Sequence, residues 1–178
     1  MRYFKKIIGE RIYLSPINID DAEVYTKWMN DYEVSGNLGN YRQVISLNSE
    51  KAIIEKLVSD GQNFAVVLFD TDQLIGNISL MDIDHLNRTA NVGIFIGEPE
   101  NRNRGYGTEA MRLVLKYGFE TLNLHNIMLH VHSDNQRAIT CYSKSGFSEI
   151  GRRREALYKN GSFIDLVYME ILDTDYRK

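Results

Sequence analysis

The run Arg102-Asn103-Arg104-Gly105-Tyr106-Gly107-Thr108 is the stretch of this sequence best suited to chemistry, and its pattern predicts an anion site. Glycines at 105 and 107 let the backbone turn sharply and approach a ligand with no Cβ in the way. A helix beginning there presents unpaired N–H groups and the positive end of its dipole, and a pyrophosphate satisfies both. Arg102 and Arg104 add charge-assisted donors. The same glycines would also serve a plain tight turn before a helix capped by Thr108; the paired arginines favour the anion. A P-loop is excluded, since no Lys-Ser or Lys-Thr pair follows the glycines. Gly105 to Ala110 also fits a dinucleotide fingerprint, with Asp134 as the ribose-binding acid of an NAD-binding oxidoreductase.

Other reactive residues carry less. Cys141 reads as a small buried side chain rather than a nucleophile, and a single cysteine allows no disulfide within the chain. His130 and His132 alternate on one strand face, but no ligand set accompanies them at metal spacing, so no metal is expected. Arg152-Arg153-Arg154 reads as a solvated strand edge.

These residues need elements to position them. Arg11 to Ser15 alternates as a strand. Asn18 caps a helix from about Asp20 to Asn30, with Asp20, Asp21 and Glu23 at its positive end. Ser35 to Ser46 reads as a loop, and a second helix follows Asn48 with Ala52, Ile53, Ile54 and Leu57 as its apolar face. Phe64–Phe69, Leu74–Asp82 and Thr89–Ile96 form an antiparallel meander that ends at Gly97 and Pro99. A helix spans about Thr108–Thr121, a strand Ile127–Val131, and another helix Gln136–Ser145. Strands Phe147–Tyr158 and Phe163–Leu172 are joined by the turn Lys159-Asn160-Gly161. The fold class is mixed α/β, with a mostly antiparallel central sheet and flanking helices. No linker or repeat interrupts it, so residues 1–178 read as a single domain. A meander ahead of the glycine loop argues against a dinucleotide fold, which needs parallel strands joined by helical crossovers.

With both motifs in place the chain resembles the GNAT (Gcn5-related N-acetyltransferase) superfamily. Arg102, Gly105 and Gly107 match its Arg/Gln-x-x-Gly-x-Gly/Ala pattern. Asn135-Gln136-Arg137-Ala138 and Tyr142-Ser143-Lys144-Ser145-Gly146-Phe147 match its second signature. The layout is most similar to the branch holding ribosomal-protein N-terminal acetyltransferases and spermidine acetyltransferases. The resemblance implies a sheet splayed between its fourth and fifth strands, with acetyl-CoA as acyl donor cosubstrate lying in the gap. It assigns Phe95 and Ile96 to the pantetheine arm through their backbones, and Asn103, Arg104, Gly105, Tyr106, Gly107 and Thr108 to the pyrophosphate through backbone N–H groups. Arg102 and Arg104 add side chains there, and Asn135 binds the pantetheine arm. Tyr142 falls near the cofactor sulfur, where its phenol protonates the leaving thiolate. Many relatives carry a glutamate base where this chain has Asn91, which cannot usefully accept a proton. Asp82, Glu98 and Tyr158 are the candidates to replace it.

The reaction implied is acetyl transfer to a primary amine by direct attack. A protein N-terminal α-amine is slightly favoured as acceptor on family layout, with polyamines and other small amines as alternatives. Asp20, Asp21, Glu23, Asp31 and Glu33 could line a polyamine pocket. A module that binds acyl-CoA without catalysis is a reading of a different class. A net charge of −3 argues against a general nucleic-acid binder. Arg2, Lys5 and Lys6 are followed by no apolar stretch, and no run is long enough to cross a bilayer, so a cytoplasmic protein without a membrane partner is expected. A homodimer through the C-terminal strands is possible on this reading.

Overall fold

Period-two alternation becomes eight strands in the computed structural model, whose described residues are 2–39, 42–60 and 62–178. The strand order is β1-β2-β3-β4-β5-β6-β8-β7; β1–β2, β2–β3, β3–β4, β6–β8 and β7–β8 pair antiparallel and β5–β6 parallel. The expected mixed α/β class with a mostly antiparallel sheet is therefore present. By internal contacts the chain divides into two units, Met1–Ser79 with Ile94–Leu113, and Leu80–Gly93 with Val114–Lys178.

The first unit begins with β1 (Ile7–Ile8) and β2 (Ile12–Pro16), then a 3-10 turn (Ile19–Asp21). Helices α1 (Ala22–Asn30), α2 (Tyr32–Ser35) and α3 (Leu47–Ser59) precede β3 (Asn63–Leu68) and the start of β4 (Leu74–Asp84). Tyr13, Ala65 and Val67 share a core with Tyr25 and Trp28 of α1 and Ile54 of α3. The end of β5 (Thr89–Ile96) and the first turns of α4 (Tyr106–Lys116) complete this unit.

The second unit holds the rest of β4, β5 and α4, then a π-helical turn (Tyr117–Thr121), β6 (Asn126–His132) and α5 (Gln136–Lys144). β7 (Ser148–Lys159), β8 (Ser162–Leu172) and α6 (Asp173–Tyr176) follow. Ile127, Leu129 and Val131 stand opposite Ile171, Met169 and Val167 in the β6–β8 ladder, and all six are buried. β7 is the terminal strand, so Arg152, Arg153 and Arg154 lie on a solvated edge as expected.

Several boundaries moved. α3 starts at Leu47 rather than after Asn48, because Ser46 caps it by accepting from the Ser49 N–H at 3.1 Å. Its inner face carries Glu50 and Ile54, whereas Ala52 and Ile53 are exposed. The expected loop from Ser35 is helical at its first residue and turns through Gly36–Gly39; residues 40 and 41 lie outside the described set. The helix expected from Thr108 starts at Tyr106 and widens to π geometry at Tyr117. No helix of the described residues is long and apolar enough to cross a membrane.

Candidate active site

The glycine loop departs from β5 through a 3-10 turn at Pro99–Asn101. Asn103 and Gly105 both have left-handed backbones, φ 61° and 84°. Asn103 follows extended backbone at Arg102 (φ −79°, ψ 157°), and Gly105 leads directly into α4. Gly105 suits its place for a second reason, since a Cβ there would lie 3.1 Å from the Arg11 guanidinium. α4 begins immediately afterwards, so the positive end of its dipole adjoins the same loop.

Arg102 does not point outward. Its guanidinium bonds the Ile96 carbonyl at 3.3 Å, the Gly97 carbonyl at 2.5 Å and the Glu33 carboxylate at 2.8 Å, and its side chain is 7% exposed. The arginine expected to contact an anion is instead committed to holding the loop against the end of β5. Arg104 is exposed, and its carbonyl accepts from Arg11 at 2.8 Å.

A clamp unforeseen in the sequence braces the other side. Glu109 Oε1 accepts from the backbone N–H groups of Glu10, Arg11 and Ile12 at 2.9, 2.8 and 3.3 Å. Its Oε2 accepts from Arg11 Nε at 2.9 Å, and the Arg11 guanidinium lies 5.0 Å over the Tyr106 ring. The signal available was only a glutamate in a helix's first turn, where the dipole already explains it.

The end of β5 is set by aromatic packing. Phe95 meets Tyr25 and Trp28 edge-on, with centroids 6.2 and 5.8 Å away. β5 pairs with β6 only from Thr89 to Asn91, so the ladder on that side is not continued to Phe95 and Ile96. That leaves backbone there for a ligand, though the Ile96 carbonyl already accepts from Arg102.

In the second unit, Asn135 caps α5 by accepting from the Ala138 N–H at 3.1 Å. Tyr142 lies on the buried side of α5, 8% exposed, with its ring 6.1 Å from that of Phe147. Burial, then the neighbouring Cys141, raises its pKa, so the phenol keeps its proton at neutral pH. Such a group can donate a proton and cannot serve as a base. Cys141 itself is half-buried and not in a disulfide.

The candidates for a base separate clearly. Glu98 accepts from Lys27 at 2.6 Å and from the Trp28 indole at 3.0 Å. The Lys27 bond above all lowers its pKa, which makes it a poor proton acceptor. Asp82 accepts from the Asn91 amide at 2.9 Å, and Tyr158 is half-exposed against Phe163. Asp134 pairs with the nearly buried Lys159 at 2.9 Å, which removes it from the ribose role. His132, weighed in the sequence only as a ligand, is 6% exposed with Nδ1 unpartnered among the described residues. Burial first, then Lys159, lowers its pKa, so the ring is neutral at neutral pH.

The five acids considered for a polyamine pocket are also sorted. Asp21 is turned inward to Arg2 and to the Tyr3 hydroxyl, Asp31 caps α2, and Glu33 pairs with Arg102. Asp20 and Glu23 remain at the surface.

Comparison with known proteins agrees on one family. Residues 11–148 match the family model described as an acetyltransferase (GNAT) domain. A spermidine N(1)-acetyltransferase of Vibrio cholerae is 32% identical over 79% of this chain and 86% of its own. A putative ribosomal N-acetyltransferase of Bacillus subtilis is 28% identical over 92% and 86% of the two chains. The crystal structure of the Vibrio cholerae spermidine enzyme in complex with CoA and spermine superposes with a TM-score of 0.84. It is 27% identical, and the match covers 96% of this chain and 100% of that one.

Proposed function

This chain belongs to the GNAT acetyltransferase family and is an acetyl-CoA-dependent N-acetyltransferase, and from that premise we propose that its acceptor is a primary amine of a di- or polyamine. The observation that carries the choice is the likeness, in sequence and in fold, to an enzyme named for spermidine. It displaces the slight preference for a protein α-amine, which rested on layout alone. The ribosomal relative keeps the peptide N-terminus as the second reading.

We read residues 1–178 as one N-acetyltransferase domain. Backbone N–H groups from Asn103 through Thr108 hold the pyrophosphate, and the exposed Arg104 side chain adds charge. Arg102 contributes by fixing the loop, not by touching the anion. Phe95 and Ile96 offer backbone to the pantetheine arm, and Asn135 stands at the α5 terminus for the same arm. The acceptor nitrogen attacks the thioester carbonyl, the C–S bond breaks, and Tyr142 hands its proton to the departing sulfur. The surplus proton on nitrogen leaves through water, since Asn91 offers no base.

A thiol-release assay comparing spermidine, spermine and peptides with free N-termini tests the acceptor. The expected result is kcat/KM for a polyamine at least about tenfold above any peptide, a difference of about 1.4 kcal/mol. Faster turnover of a peptide would return the reading to the protein α-amine.

A further inference from the structure

Arg11, in the turn between β1 and β2, stands against the glycine loop although it is 93 residues from Arg104 in the chain. Three contacts fix its guanidinium. Nε donates to Glu109 Oε2 at 2.9 Å, Nη1 donates to the Arg104 carbonyl at 2.8 Å, and the central carbon lies 5.0 Å from the Tyr106 ring centroid. The remaining arm, Nη2, makes no hydrogen bond among the described residues. It lies beside Gly105, 3.1 Å from where a Cβ would stand, and the Arg11 side chain is 50% exposed.

These features set Arg11 apart from the two arginines of the loop itself. The Arg102 guanidinium is committed to two carbonyls and Glu33. Arg104 is exposed, and its side chain has no partner among the described residues, so holding a ligand would cost it rotamer freedom. Arg11 has already lost that freedom to Glu109, Arg104 and Tyr106, which leaves the free arm of its planar fork preorganised. Charge points the same way. Glu33 balances Arg102, but Glu109 is one carboxylate against the two cations Arg11 and Arg104, so this side of the loop keeps an excess positive charge.

We propose that Arg11 Nη2 donates to the diphosphate of acetyl-CoA, supplying from the β1–β2 turn the side-chain contact that Arg102 does not make. Such a bond is charge-assisted on both partners, which makes it stronger than a neutral one. The proposal rests on reading the glycine loop as the diphosphate site, and it extends that site to a residue outside the loop. Gly105 then has a further task, because a side chain there would displace Nη2.

The test is Arg11→Gln, with Arg11→Lys beside it. Each is titrated with acetyl-CoA, with its 3′-dephospho analogue and with S-acetylpantetheine, which carries no diphosphate, and thiol release is followed with each donor. In Arg11→Gln the Kd for acetyl-CoA and for the dephospho analogue both rise about tenfold, the scale of one lost hydrogen bond between charged groups. KM follows Kd, kcat stays within twofold, and S-acetylpantetheine is bound and used as by wild type, which also reports an intact fold. Raising the salt shrinks the penalty, since salt screens an ion contact but does not repair a misplaced loop. Arg11→Lys, a point charge without the fork, recovers part of the loss and carries the same comparisons if Arg11→Gln does not fold. A Kd for acetyl-CoA within twofold of wild type overturns the contact. So does a penalty that persists with S-acetylpantetheine or ignores salt, which would leave Arg11 a brace of the loop. A penalty missing from the dephospho analogue also overturns it, by moving the contact to the 3′-phosphate. Wild type that binds S-acetylpantetheine as tightly as acetyl-CoA overturns the reading of the glycine loop itself.

Discussion

Around the glycine loop of the first unit charges are many and mostly paired, whereas Asn135 to Phe147 in the second unit is held by capping and apolar burial. Arg102 and Glu33 brace the loop on one side, and Arg11 and Glu109 on the other. These pairs fix the loop from both sides, and on the proposed function its backbone and the start of α4 meet the diphosphate. Near Tyr142 the causes run the other way. Burial first, then the neighbouring Cys141, raises the pKa of its phenol and keeps the proton in place. On the proposed function, one region holds a fixed charge and the other manages a proton. A charged brace beside Tyr142 would shift its pKa; an apolar surround at the loop would leave two arginines unpaired.

The comparison breaks most visibly at the phenol. Tyr142→Phe is expected to lower kcat by about 10²–10⁴-fold while KM for acetyl-CoA changes little. Single-turnover thiol release reads this directly, and a kcat within twofold of wild type would remove Tyr142 from the chemistry. Glu109→Gln should give the opposite split. It weakens bonds to three backbone N–H groups and leaves Arg11 without its carboxylate, a loss of about 1–3 kcal/mol in stability. KM for acetyl-CoA should rise with kcat nearly unchanged, as titration of the variant with acetyl-CoA would report. The smallest effect is expected at the other region's anchor. Asn135→Ala removes the α5 cap and costs about 1 kcal/mol, a fall of roughly 2–4 °C in melting temperature. A larger fall in activity than in stability would mean that Asn135 also contacts the cosubstrate.

How far the sequence could be read follows from the range of each interaction. Gly105 and the helix start lie within one short run, so the loop was legible from spacing alone. Tyr142 is singled out in the sequence by the flanking Asn135 and Gly146-Phe147, and the fold adds its burial on α5. The internal bonds of Arg102 were not legible because its partner, Glu33, is far off in the chain and its carbonyl acceptors carry no side-chain signature. The Glu109 clamp joins residues some hundred positions apart and hid behind the ordinary preference for acids at helix starts. Glu50 hid the same way: a glutamate in a first turn reads as solvated, and only the packing of α1 on α3 shows that it faces inward. β1, two residues long, is too short to show alternation.

Trp28 is the chain's one tryptophan and is 1% exposed. Its indole N–H is bonded to Glu98, and Gly97 approaches so closely that a Cβ there would stand 2.1 Å from the ring. The tryptophan emission of this protein, excited on the red edge where tyrosine does not absorb, therefore arises from one indole in one environment. Phe95 on β5 and Tyr25 on α1 both touch that ring. Emission from a single buried indole thus gives an unlabelled optical readout of the packing between α1 and the end of β5.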